Sequence, residues 1–190
     1  MLPISTILGK INPLEKEHSL SMAEFYLALV VTDKKVKSGI WVSGEGGAKS
    51  LAFGSTENWG GEDGEELIVA SDSSISSAVA NLPQIEGKQP TKVIFGLPEH
   101  WVKENAINKE KGKFLQTVCR KLLLKPMGFV VTPEAIAYFL KKEEGGFPGA
   151  ILVSFSEAEI IVSLIIQGKF LGSKVVGRSD NLSLDLEEDY

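Results

Sequence analysis

The chain has 190 residues, a formal net charge of −5, 43% hydrophobic and 24% charged residues. That is an ordinary globular balance with enough length for a sizeable core. It disfavours nucleic-acid binding, which usually needs a basic face. A lone cysteine, Cys119, excludes an internal disulfide and suits a reducing compartment.

No apolar run reaches transmembrane length, and the N-terminus lacks a signal-peptide plan. The expected location is the cytoplasm, with peripheral membrane attachment as the alternative. Residues 1–22 read as an N-terminal arm. Its apolar stripe (Leu2, Ile4, Ile7, Leu8, Ile11) is interrupted by Pro3 and followed by Pro13. Packing on its own domain is the preferred reading, because a membrane anchor would carry a more basic polar face.

Residues 24–42 read as a hairpin. Residues 25–31 are continuously apolar, as in a strand buried on both faces. Thr32-Asp33-Lys34-Lys35 is its turn, and 36–42 alternates apolar and polar. A third strand is expected over 49–54. Residues 58–66 (NWGGEDGEE) read as an exposed acidic loop whose spacing does not match an EF-hand. A short strand is expected at 67–70. Ser71 to Ser74 then supply caps for a short helix over 75–82. After a linker at 84–90, residues 91–97 are a strong strand. Trp101 follows it, either as a capping hydrophobe or as a partner anchor. A long helix is expected over 109–125, with Phe114, Leu115, Val118, Leu122 and Leu123 near one face and lysines on the other. Cys119 sits beside that apolar face and reads as a buried inert thiol.

Residues 128–168 organise the chain. An apolar run at 128–132 is followed by Pro133, a residue suited to a first helical turn. Ala135, Ile136, Phe139 and Leu140 give the helix an apolar face, and Lys141 and Lys142 close it. Strands are expected at 150–155, read as buried, and at 159–166, with a Gln167-Gly168 turn leading to Lys169-Phe170.

The order of glycine, apolar strand, Pro-led Ala-rich helix through Ala137-Tyr138, glycine loop, strand, turn, strand and Gly-Lys-Phe resembles the actin-like ATPase superfamily. That superfamily includes DnaK-type chaperones and FtsA- and PilM-like assembly proteins. The resemblance runs from about Phe25 to the end of the chain. It implies an α/β, ribonuclease H-like domain over 23–178, with a mixed five-stranded sheet and helices packed on it. It also implies that 179–190 open a following helix or tail of a chain cut short.

Such an ATPase uses two phosphate loops, each with an acid at a strand end and a nearby glycine. By the resemblance, the first acid position is Val30 and its glycine position is Thr32. The second acid position is Ser154 and its glycine position is Ser156. The degenerate loops therefore comprise Thr32, Asp33, Lys34, Ser154 and Ser156, with no catalytic residue and no metal ligand assigned. Valine cannot ligate magnesium, and Asp33 stands at a shifted position. The expected function is a non-catalytic scaffold without a cofactor, binding a protein partner such as a peptide of a membrane component, and able to form oligomers. The alternative is an ATPase switch using ATP and magnesium, with Asp33 supplying the carboxylate.

Overall fold

A computed structural model describes residues 24–44, 47–61, 63–82, 90–143, 149–155 and 159–177. The expected arm at 1–22, the linker at 84–89, Ser156 and the tail at 179–190 lie outside the described residues.

Strand β1 (Glu24–Val31), β2 (Lys35–Gly44) and β3 (Gly47–Asn58) open the fold, followed by helix α1 (Gly64–Ala80). Next come β4 (Lys92–Leu97), a 3-10 turn (Glu99–Trp101), and two short strands, β5 (Val102–Lys103) and β6 (Ala106–Ile107). Helix α2 (Lys109–Lys121), β7 (Lys125–Val131) and helix α3 (Thr132–Glu143) follow. The described chain closes with β8 (Gly149–Phe155), β9 (Glu159–Ile166) and β10 (Lys169–Gly177).

The strands form a mixed five-stranded sheet of order β3-β2-β1-β4-β7, a three-stranded sheet of order β10-β9-β8, and the small β5-β6 pair. The expected five-stranded sheet with packed helices is therefore present. Contacts divide the chain into two units. One holds Met1–Leu29, Asp33–Ile94 and Thr117–Met127, and the other holds Val30–Thr32, Phe95–Gln116 and Gly128–Tyr190.

In the first unit α1 packs on β2 and β3. Its inner side is made of small residues, with Ala70, Ser71, Ser74 and Ala78 all buried. Small side chains let the helix approach the sheet closely enough for direct bonds. Ser38 donates its N–H to Ser74 Oγ at 2.8 Å, and Ser38 Oγ donates to the Ser74 carbonyl at 2.7 Å. Leu27, Leu29, Val36, Ile40, Leu67 and Val93 are buried in this unit.

In the second unit α3 packs on β10. Ala137 and Ile165 are buried there. Trp101 is fully buried, with Lys111 Nζ 5.1 Å from its ring centroid.

Several expectations change. Residues 25–31 are not buried on both faces: Leu27, Leu29 and Val31 point in, while Val30 is 37% exposed. That is the ordinary alternation of a strand with one covered face. Residues 58–66 are not simply an exposed loop. Trp59 is buried, its N–H donates to the Lys34 carbonyl at 2.9 Å, and Asp63 caps α1. The run at 67–70 is helix rather than strand, and Ser71 and Ser74 lie inside α1 rather than at its cap. Helix α2 stops at Lys121, because Leu123 takes a left-handed φ of 55° and Lys125 already pairs with β4's approach through the Thr91 carbonyl.

On α3 the covered position is Ala137, whereas Phe139 is 59% exposed, so the inward face is one step away from the expected one. Strand β8 is not buried. Ile151 and Phe155 are 68% and 75% exposed. Trp101 is a core side chain and not a surface anchor.

Candidate functional site

The first degenerate loop is the β1–β2 turn. Thr32 and Lys34 are exposed there and Asp33 is half-buried. The loop that follows β3 packs against this turn. Its Trp59 N–H caps the Lys34 carbonyl, and a Cβ at Gly61 would stand 2.3 Å from the Asp33 carbonyl oxygen. Gly61 has φ +92°, so glycine is required there for conformation as well as for space. The turn is thus braced by the Trp59-Gly60-Gly61 segment of its own unit.

Val30 lies one residue before the end of β1. Its Cγ2 would be 3.1 Å from a Cβ added at Gly96, and Thr132 Oγ1 would be 3.6 Å from that same Cβ. Three strand ends therefore meet here: β1 through Val30, β4 through Gly96, and β7 through Thr132, which opens α3. Sequence reasoning named Val30 but missed Gly96 and Thr132, since only the strand order β1-β4-β7 brings them together. The group offers one hydroxyl and no carboxylate.

Ser154 lies on β8, in the separate three-stranded sheet, paired with Ile161 and exposed. The resemblance groups it with Thr32, Asp33 and Lys34, but it stands on a different sheet from the β1–β2 turn. Ser156 lies outside the described residues.

A cavity of about 430 Å³ opens in the second unit. Its apolar wall is Val102, Phe129, Val130, Val131 and Phe170, and its polar groups are Glu99, Glu104, Glu134 and Asn105. Among the described residues no lysine or arginine lines it. Glu104 and Asn105 form the two-residue turn between β5 and β6, with φ of 53° and 62°. Such a turn twists the pair in the sense that a hairpin prefers and favours Asn. The sequence Val-Lys-Glu-Asn-Ala-Ile at 102–107 held that signal. Glu134 sits in the first turn of α3, where the helix dipole favours a carboxylate. The cavity joins an apolar floor to three carboxylates, which suits a ligand that is both apolar and cationic.

Elsewhere, Cys119 is buried, and burial pushes its thiol pKa up, so it stays protonated and unreactive near neutral pH. Glu24, Tyr26 and Lys92 form a surface cluster in which the Lys92 hydrogen bond draws the Glu24 carboxyl below its usual range. Among the described residues no three acidic, histidine or cysteine side chains are grouped to hold a metal. No described helix is long and apolar enough to cross a membrane.

No protein-family model matches the sequence, and no curated protein matches it. Solved structures do. The PilM–PilN type IV pilus biogenesis complex aligns with a TM-score of 0.58 and 13% identity, over 80% of this chain and 61% of that one. The ethanolamine utilization protein EutJ from Carboxydothermus hydrogenoformans aligns at 0.54 and 14% identity, over 91% and 64%. A Ppx/GppA phosphatase of Aquifex aeolicus aligns at 0.49 and 12% identity, over 80% and 52%. The chain thus spans between about half and less than two thirds of the length of these solved chains.

Proposed function

We propose that this chain, which has the actin-like fold, serves as a non-catalytic scaffold that binds a protein partner, as PilM- and FtsA-like assembly factors do. The observation that carries this reading is Val30. By the resemblance, a magnesium-holding acid belongs at that strand end. In its place is an apolar side chain, 37% exposed, beside Gly96 and Thr132. Valine has no lone pair for a metal or its water. The Cβ of Thr32 occupies the place of the glycine that would let backbone N–H groups reach a phosphate.

The cavity supplies what a scaffold needs. Its apolar wall takes one or two side chains of an extended segment, and Glu99, Glu104 and Glu134 meet a flanking lysine or arginine. The partner is accordingly a segment with a basic residue next to apolar ones, such as a cytoplasmic peptide of a membrane component. One of the similar structures is itself a complex of an actin-like protein with a second protein, which supports the same class of role. In this reading the chain works in the cytoplasm and reaches a membrane only through its partner.

The test is a peptide library displayed against the whole chain. Basic–apolar sequences should be selected, and the double variant Glu99→Gln/Glu134→Gln should weaken their Kd about tenfold, the loss of roughly 1.4 kcal/mol. Selection that ignores both glutamates, or that needs ATP and magnesium, would overturn the proposal.

A further inference from the structure

Helix α2 ends on a strained leucine. The Leu124 N–H donates back to the Cys119 carbonyl at 2.8 Å, and the Leu122 N–H donates to the Val118 carbonyl at 2.9 Å. This closure puts Leu123 just past the helix in the left-handed region, with φ 55°. Glycine is the usual residue there, because a Cβ is crowded in that conformation. Here a leucine bears the strain, and its side chain is 79% exposed. Neither the fold nor burial accounts for an apolar knob at that point, so a task outside the chain does.

The knob stands on the edge of a groove. A cavity of about 250 Å³ lies between α1 and the end of α2, wholly within the first unit. One wall is α1, with Asp72, Ile75 and Val79. The other is the end of α2 and its turn, with Lys121, Leu122 and Leu123. The two walls carry opposite charge. From Asp72 the outer stripe of α1 runs through Val69 to Glu65, at spacings of three and four residues, and all three are exposed. Around Leu123 stand Arg120, Lys121 and Lys125, also exposed.

A partner of a single charge sign would match one wall and oppose the other. A second copy of the same surface, turned half a revolution, matches both. A two-fold axis standing on the groove exchanges its walls, so that Asp72 of each copy faces Lys121 of the other. The same rotation lays each Leu123 against Ile75 and Val79 of the other copy. We propose that this groove is a two-fold self-association surface, with Leu123 as its reciprocal anchor and Asp72 and Lys121 as its cross-paired charges.

Sedimentation velocity of the full chain over a range of concentrations tests this, with circular dichroism to establish that each variant folds. The wild type should pass from monomer to dimer as concentration rises. Leu123→Gly keeps the left-handed turn and relieves its strain. It should raise the dimer Kd about tenfold or more without lowering Tm. Asp72→Lys and Lys121→Asp should each weaken the dimer about tenfold, because both symmetry-related pairs become repulsive. The double variant Asp72→Lys/Lys121→Asp should recover the wild-type Kd. A wild type that stays monomeric at every concentration would overturn the proposal, as would a dimer that ignores Leu123→Gly or that the charge swap does not restore. Binding of a monomer to anionic phospholipid vesicles that Leu123→Gly abolishes would also overturn it, because the knob would then serve a membrane surface.

Discussion

Ser74 does more than its size suggests. Its hydroxyl accepts from the Ser38 N–H and donates to the Ser55 carbonyl at 2.7 Å, so one buried oxygen ties α1 to β2 and β3. Ser71, one turn earlier, is equally buried, but its Oγ has no partner among the described residues. The two serines should therefore respond oppositely to the same change. Ser74→Ala strands a donor and an acceptor and should cost about 1–3 kcal/mol. Ser71→Ala removes an unsatisfied hydroxyl and should be neutral or slightly stabilising. Urea denaturation of both variants separates them; equal losses would contradict this account of the helix contact. At this scale the sequence is only partly readable. The apolar character of Val30 could be read from it directly, and its partial exposure follows from period-two alternation along β1. Gly96 and Thr132 could not be read as its neighbours, because only long-range strand pairing places them there.

Helix α1 shows why element type can be misjudged. Leu67-Ile-Val-Ala70 is β-branched and apolar, so as a short run it suits a strand as well as a buried helical turn. Serines after it look like caps because their side chains compete for backbone groups. The deciding features are Asp63, whose carboxylate accepts from the Glu65 N–H at 2.9 Å, and the acidic first turn of Glu65 and Glu66. Together they start the helix seven residues before the serines. Asp63→Ala should then cost about 1 kcal/mol, seen as a lower Tm with unchanged native helix content. No change in Tm would mean that packing on β2 and β3 alone fixes the start. Boundaries elsewhere were readable where the turn chemistry is explicit, as at Gln167-Gly168, where both residues take positive φ. They were not readable at β7, since the helix was expected to run to residue 125, whereas Lys125 already opens the strand Lys125–Val131. The burial of β8 was misjudged for a related reason. Its composition is that of a covered strand, and composition does not tell which face another segment covers.

For the molecule as a whole, the order of elements carried most of the information. Three sequential strands, a helix, then strand, helix, strand and helix give the sheet order β3-β2-β1-β4-β7, the mixed five-stranded sheet that the resemblance implied. The cavity was not anticipated, because Glu134 at the start of α3 is remote in sequence from Glu99 and Glu104. The central claim is that this actin-like chain works without nucleotide. Calorimetric titration of ATP with magnesium into the chain tests it most directly. No binding heat is the predicted result, since Val30 and Thr32 replace the acid and the glycine that the resemblance requires. Saturable heat that vanishes in Asp33→Ala would contradict the claim and make the β1–β2 turn a working phosphate loop.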